Sequence, residues 1–344
     1  MTHAVDGFVG AIGKTPLIKL LTLSELTGCE IFGKAEFLNP GGSVKDRAAL
    51  GMILDAEEKG LIGRGGVLVE GTAGNTGIGL THIANARGYR SLLVVPETQS
   101  QEKIDYLRAI GADVRTVPAA PYKDPANYQH VARRLAESIP GAFLANQFDN
   151  VANREQHLKT TGPEIWTQTG GKLDAFCSAV GTGGTLGGVA EFLKSKSRHV
   201  RTVCADPMGS AMLQYFRGRE LVASGSSITE GIGQGRVTKN IEGAPVDLAY
   251  RIPDQVIIDM LHFVMRREGL FVGSSSATNL CAAYMIAKEL GPGKRIVTVL
   301  CDGGARYLSR LWNASWLQSK GLTPPKGDEA FLKAMPAVVA AISV

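Results

Sequence analysis

The chain has 344 residues, 44% hydrophobic and 20% charged, with 37 Lys+Arg against 32 Asp+Glu and a formal net charge of +5. That is room for one large or two medium domains with a sizeable core, and it excludes a disordered or collagen-like chain. The positive charge is scattered, with no basic run interleaved with aromatics, which argues against a nucleic-acid partner, and no stretch approaches the ~20 apolar residues of a membrane span.

Residues 1–6 have neither a basic start nor an apolar core, so no signal peptide is read there and a cytoplasmic setting is expected. A helical pattern runs over 43–59, with Ser43 as its N-cap. An apolar strand at 67–70 leads into the turn Gly71-Thr72-Ala73-Gly74-Asn75-Thr76-Gly77, which opens a helical pattern over 77–87. A strand at 91–95, a helix over 101–110 capped by Ser100, a strand at 113–117 and a helix over 126–137 follow. Pro140-Gly141 and the Asn-rich stretch 146–153 interrupt this rhythm and put a break near 140–155.

A strand at 175–180 then enters Gly181-Thr182-Gly183-Gly184-Thr185, with a helix over 185–194, a strand at 201–205, helices over 253–268 and 277–290, and a strand at 295–300. Beyond Thr323 the run Pro324-Pro325-Lys326-Gly327-Asp328 breaks the chain, and the apolar 331–344 reads as a docked helix or a subunit contact. Short apolar runs alternating with helices predict an α/β fold with two mainly parallel twisted sheets and flanking helices. Ligands in such sheets sit beyond the carboxyl ends of the strands, where both glycine turns lie. The cysteines are Cys29, Cys177, Cys204, Cys281 and Cys301, with no CxxC pair. The last four lie in apolar runs, read as buried thiols, and fit a reducing compartment.

In Gly181–Thr185 the glycines let the backbone approach an anion closely, and N–H groups at a helix start point at it. Taken alone, this turn leaves a dinucleotide site open. Gly181, Gly183 and Gly187 give one residue more than the Gly-x-Gly-x-x-Gly spacing, and Asp206 follows the next strand. It also admits a plain turn with no ligand. Lys45, in Asn39-Pro40-Gly41-Gly42-Ser43-Val44-Lys45-Asp46-Arg47, decides between these readings. A lysine in a first helical turn is ordinarily a solvated side chain, and the positive end of a helix disfavours a cation there. Beside two backbone-lined anion sites, however, an amine suits a phosphate-bearing aldehyde, which selects pyridoxal phosphate over a nicotinamide. The turn 72–77 offers hydroxyls, an amide and N–H groups suited to a carboxylate; taken alone it reads equally as an ordinary capped turn.

With these motifs in place, the chain resembles the fold-type II pyridoxal-phosphate family, specifically the cysteine synthase (O-acetylserine sulfhydrylase) and cystathionine β-synthase group. The resemblance covers 12–317. It includes Gly13-Lys14-Thr15-Pro16-Leu17, Ser43–Arg47, Gly74-Asn75-Thr76-Gly77, Pro96-Glu97-Thr98, Thr160-Thr161-Gly162-Pro163-Glu164-Ile165-Trp166, Gly181–Thr185, Glu230-Gly231-Ile232-Gly233 and Arg306-Tyr307-Leu308-Ser309.

The resemblance implies a tryptophan synthase β-like fold with the cofactor in an interdomain cleft. It implies a smaller domain over 45–150 carrying a mobile substrate loop, a larger one over 10–44 plus 151–320, and a tail over 321–344. Lys45 would be the Schiff-base lysine and then the base at the substrate α-carbon. Asn75 would bond the cofactor's ring oxygen, Gly181, Thr182, Gly183, Gly184 and Thr185 its phosphate, and Ser275 its pyridine nitrogen. A neutral hydroxyl there lets the nitrogen stay unprotonated and favours β-elimination over transamination. Thr72, Ala73, Gly74, Asn75, Thr76, Gln147 and Gly231 would bind the substrate. The implied reaction is a β-replacement forming L-cysteine from O-acetyl-L-serine and sulfide through an α-aminoacrylate. A homodimer is implied, as is capture of the C-terminal tail of serine acetyltransferase.

The chain departs from the family's pattern at three places. Ala73 stands where the carboxylate loop has serine. Gln234 and Arg236 make the segment Gly231–Arg236 more polar, and Asp302 stands where cysteine synthases carry serine and cystathionine β-synthases aspartate. Alternative readings are a cystathionine β-synthase using serine and homocysteine, a cysteine synthase using O-phosphoserine, threonine dehydratase or threonine synthase chemistry, and a non-catalytic partner of the acetyltransferase. The presence of Lys45, Asn75, Gln147 and the phosphate loop argues against the last.

Overall fold

The computed structural model describes residues 4–72, 74–223 and 225–343. Ala73 lies outside them. The strands are β1 (Leu17–Lys19), β2 (Glu30–Ala35), β3 (Val67–Gly71), β4 (Arg90–Pro96), β5 (Asp113–Val117), β6 (Ala142–Leu144), β7 (Ala175–Ala179), β8 (Arg201–Pro207), β9 (Leu248–Ile252), β10 (Arg295–Leu300) and β11 (Ala340–Ser343). The chain divides into two compact units, Met1–Lys14 with Leu38–Gln156 and Thr15–Phe37 with His157–Val344.

The first unit holds a parallel sheet in the order β5-β4-β3-β6. Every residue of β3 is buried, as expected of a strand covered on both faces. The helices Lys45–Glu58 and Asn75–Arg87 share one core cluster of this unit, with Ala49, Met52, Ile53, Leu80 and Ile83 all fully buried. Small residues set their approach. A Cβ on Gly79 would sit 3.3 Å from the Ala49 Cβ; Gly51 likewise admits a third helix, Ala152–Gln156, where a Cβ would sit 2.8 Å from the Ala152 carbonyl oxygen. Residues 38–44, which the sequence grouped with the second half of the chain, belong to this unit. Asn39 Nδ2 donates to the Ser43 carbonyl at 3.1 Å, and Gly41 N–H donates to Asp46 at 2.6 Å.

The second unit holds the order β1-β2-β10-β7-β8-β9-β11, parallel from β2 to β9 with an antiparallel strand at each edge. Helix Ser274–Leu290 is buried at every position from Ser274 to Ala287. It packs with helix Asp254–Glu268 in the main core. Residues 321–343 belong to this unit. Helix Ala330–Val338 sends Leu332 and Met335 into the same core, and β11 pairs with β9.

Helices begin within a few residues of the expected positions. Ser100 is the N-cap of Gln101–Ala109 but makes no side-chain cap bond. Ser43 is not the N-cap of Lys45–Glu58, a position held by Val44; instead its hydroxyl accepts from Lys45 N–H at 3.2 Å. None of the five cysteines is in a disulfide. Cys301 is only half-buried because it lies just past the end of β10, and Cys29 is buried with the other three. No helix among the described residues is long and apolar enough to cross a membrane.

Candidate active site

In the first unit the chemistry collects at the carboxyl end of β3. The strand ends at Gly71, and helix Asn75–Arg87 starts four residues later. The first N–H groups of such a helix lack intrahelical partners and carry partial positive charge. Thr72, which follows β3, is buried, and its Oγ1 accepts from Gly74 N–H at 3.3 Å. Thr76 is buried and donates its hydroxyl proton to Gln147 Oε1 at 2.6 Å. Thr72, Gly74, Asn75, Thr76 and Gln147 therefore lie around one helix start. Lys45 opens a neighbouring helix of this unit. It is half-buried, and its amine has no hydrogen-bond or ion-pair partner among the described residues.

Behind this loop stands Glu70, which sequence reading passed over. It is 2% exposed, and its carboxyl accepts from Gln147 Nε2 at 3.2 Å and Gln147 N–H at 3.3 Å. Burial drives its pKa up to about 8, against the lowering effect of Gln147, the Asn146 backbone and the Arg133 charge.

In the second unit Gly181, Thr182 and Gly183 lie between β7 and helix Gly184–Lys196, and Gly184 and Thr185 open that helix. Their glycines have steric reasons. A Cβ on Gly181 would collide with the Gly231 carbonyl oxygen. Gly183 has φ +91°, and a Cβ there would lie 2.6 Å from the Ile241 Cβ. Thr238 Oγ1 donates to the Thr182 carbonyl at 2.7 Å and Gly233 N–H to the Val180 carbonyl at 2.9 Å, so the segment from Gly231 to Ile241 braces the loop from outside.

Two further residues support this loop without a sequence signal. His157, 1% exposed in a π-helical turn His157–Thr161, bridges Thr161 Oγ1 at 2.8 Å and Thr185 Oγ1 at 3.2 Å. Asn279 accepts from Ala179 N–H at 2.6 Å and donates to the Val299 carbonyl at 2.8 Å, tying helix Ser274–Leu290 to the ends of β7 and β10.

Ser275 sits in the first turn of that helix, and its hydroxyl has no hydrogen-bond partner among the described residues. Asp302 is buried nearby, packed so closely that a Cβ on Gly273 would strike it. It accepts the Tyr307 hydroxyl at 2.6 Å. Burial and the Asp302 charge push the Tyr307 phenol well up. Gln234 is held by its backbone, whose N–H donates to Ser210 Oγ at 3.2 Å, and Arg236 is half-buried. Gly231 is exposed, with φ +74°. No cluster of three or more metal-ligating side chains occurs among the described residues.

A family model described as pyridoxal-phosphate dependent enzyme matches residues 9–302. Cysteine synthase 1 of Neurospora crassa is 54% identical over 92% of this chain and 85% of its own length. Cysteine synthase 1 of Emericella nidulans is also 54% identical, over 92% of this chain and 87% of its own. Among solved structures, the O-acetylserine dependent cystathionine beta-synthase of Helicobacter pylori superposes with a TM-score of 0.82 at 33% identity, over 90% of this chain and 99% of its own.

The chain belongs to the pyridoxal-phosphate dependent enzyme family. The residues fit that cofactor. The loop 181–185 leaves no room for side chains at Gly181 and Gly183, as a backbone phosphate cradle requires, and both the Lys45 amine and the Ser275 hydroxyl are uncommitted among the described residues.

Proposed function

We propose that the protein is a cysteine synthase that exchanges the acetate of O-acetyl-L-serine for sulfide to give L-cysteine. The observation that carries this reading is the helix start at Asn75. Buried Thr72 and Thr76 and the Gln147 amide gather there at a helix N-terminus, as an amino-acid carboxylate needs, in a unit that also offers the Lys45 amine, uncommitted among the described residues. Bound through its aldehyde, pyridoxal phosphate supplies the electron sink that makes an amino acid's α-proton acidic and its β-substituent labile.

The chain's residues do the rest. Gly181, Thr182, Gly183, Gly184 and Thr185 hold the phosphate, Asn75 the ring oxygen, and Ser275 meets the pyridine nitrogen with a neutral hydroxyl. Tyr307 occupies one Asp302 oxygen, which supports leaving that role to Ser275. Thr72, Gly74, Thr76 and Gln147, with Ala73 between the first two in sequence and Gly231 from the distant segment 231–236, hold the substrate. Lys45 holds the aldehyde at rest, takes the α-proton when the amino acid arrives, and returns it to the same carbon after sulfide has replaced acetate at the β-carbon. A cytoplasmic setting, a homodimer and capture of a serine acetyltransferase tail belong to the same reading; five cysteines outside any disulfide agree with a reducing compartment.

A second reading follows from the Helicobacter pylori neighbour, whose name couples O-acetylserine to cystathionine. Here homocysteine would take the place of sulfide. The test loads the protein with pyridoxal phosphate and supplies O-acetylserine, O-phosphoserine or serine, each with sulfide or homocysteine. Release of one acetate per active site without sulfide, followed by turnover to L-cysteine when sulfide is added, is the expected result. Turnover only with homocysteine favours the second reading, and no acetate release sinks both.

A further inference from the structure

Gln147 is assigned to the substrate carboxylate, yet its own orientation needs a cause. An amide side chain can face either way, and its hydrogen-bond partners decide which. One side of Gln147 meets Glu70 Oε1 at 3.2 Å and the Gly71 carbonyl at 3.5 Å. A carbonyl oxygen only accepts, so the amide nitrogen faces that side. The amide oxygen therefore faces Thr76, which donates to it at 2.6 Å. Glu70 also takes the Gln147 backbone N–H at 3.3 Å. That backbone follows Asn146, one of two non-glycine residues with positive φ among the described residues, at +51°. The Gln147 carbonyl is held from the far side by Asn153 Nδ2 at 2.9 Å. Glu70 thus holds both ends of Gln147, and through it the Thr76 rotamer at the helix start.

We propose that Glu70 is the positioning residue of the substrate-carboxylate site, acting through Gln147 and Thr76 without touching the substrate itself. The inference rests on the cysteine synthase reading above. Glu70 also lines a pocket of about 110 Å³ with Gly71, Gln129, His130, Arg133 and Asn146. A small carboxylate entering there could replace a deleted Glu70 side chain.

The test uses the full chain loaded with cofactor, comparing wild type with Glu70→Ala, Glu70→Gln and Glu70→Asp. Steady-state kinetics give KM for O-acetylserine and for sulfide, calorimetry gives the affinity for L-serine, and urea unfolding reports stability. Glu70→Ala is expected to raise KM for O-acetylserine and weaken L-serine roughly tenfold or more, with KM for sulfide held within about twofold. Added formate should restore part of that loss. Glu70→Gln, which keeps an acceptor at the same reach, should stay within about threefold of wild type. Should Glu70→Ala fail to fold, Glu70→Asp keeps a carboxyl group but withdraws it by one methylene and should show the same split.

Unchanged amino-acid KM in Glu70→Ala or Glu70→Asp overturns the proposal. So does Glu70→Gln losing as much as Glu70→Ala, or a uniform loss that follows stability alone. A wild-type protein that makes no cysteine and binds no amino acid overturns the cysteine synthase reading, and this inference with it.

Discussion

Replacing Glu70 by glutamine should remove a slope from the pH dependence of stability. Burial lifts the Glu70 carboxyl from 4.5 to about 8 in the folded protein. The unfolded chain, with an ordinary carboxyl, has already lost that proton when the native state still holds it. The native state then binds more protons than the unfolded one, so stability falls as pH rises from about 4.5 to about 8 and levels off above that. The window spans about 3.5 pH units, from 4.5 to about 8, and at roughly 1.36 kcal/mol per unit its full depth is about 5 kcal/mol. This is an upper bound, because the surrounding protein dipoles relax around an ionised group.

Asp206, Asp254 and Asp259 are also raised by burial and slope the same way, while His262 is lowered by burial and slopes the other way. Comparing wild type with Glu70→Gln cancels these contributions. Urea unfolding from about pH 5 to about pH 8.5 should show two stabilities that separate with rising pH, Glu70→Gln gaining by up to a few kcal/mol at the alkaline end. A gap that stays constant with pH would refute the buried, proton-holding state of Glu70.

Three further outcomes follow from the same geometry. Gly181→Ala places a Cβ into the Gly231 carbonyl, backbone against backbone, and should weaken cofactor affinity by about 10- to 100-fold, read by titrating the apoprotein with pyridoxal phosphate. Lys45→Ala should acquire no covalent cofactor mass after borohydride reduction and lose activity by about 10³-fold or more, while the cofactor is still retained by the loop 181–185. Asn279→Ala takes the side-chain acceptor from the Ala179 N–H and leaves the Val299 carbonyl only its weak Cys301 thiol donor, and should cost about 1–3 kcal/mol in urea unfolding, with the expressed protein still folded.

The parts of the molecule that sequence revealed are those where one residue type answers one local demand. The buried strands β3, β4, β7, β8 and β10 read as apolar runs, and the glycines of the phosphate loop stand where a side chain would collide with Gly231 or Ile241. What sequence hid are residues whose partners are distant along the chain. Strand β2 carries Lys34, which pairs with Glu164 at 2.7 Å, so a buried strand reads as polar. Glu70 stands 77 positions before Gln147, and Asn279 stands 100 positions after Ala179. Such polar groups look solvated until their partners are known, because only pairing makes their burial tolerable.

The two proposed anion sites share one backbone device: a parallel strand, a short turn, and a helix whose first N–H groups lie at the sheet's carboxyl end. They differ in what stands behind the turn. In loop 181–185, Gly181 and Gly183 pack against the Gly231 carbonyl and Ile241, so that wall cannot turn and a side chain at either glycine collides with it, while Thr238 and His157 bond the loop from their side chains. That suits a cofactor phosphate that stays. Loop 72–76 is backed by side chains, with Thr76, Gln147 and Glu70 in one hydrogen-bonded chain whose end group takes up a proton near pH 8. Side-chain rotors can exchange their bonds with a ligand in a way that a close-packed backbone cannot, and the substrate carboxylate must arrive and leave with every turnover. On the proposed function, a fixed phosphate site and an adjustable carboxylate site would differ in the material of their backing, and Glu70 would be where the second is tuned without altering a residue that meets the substrate.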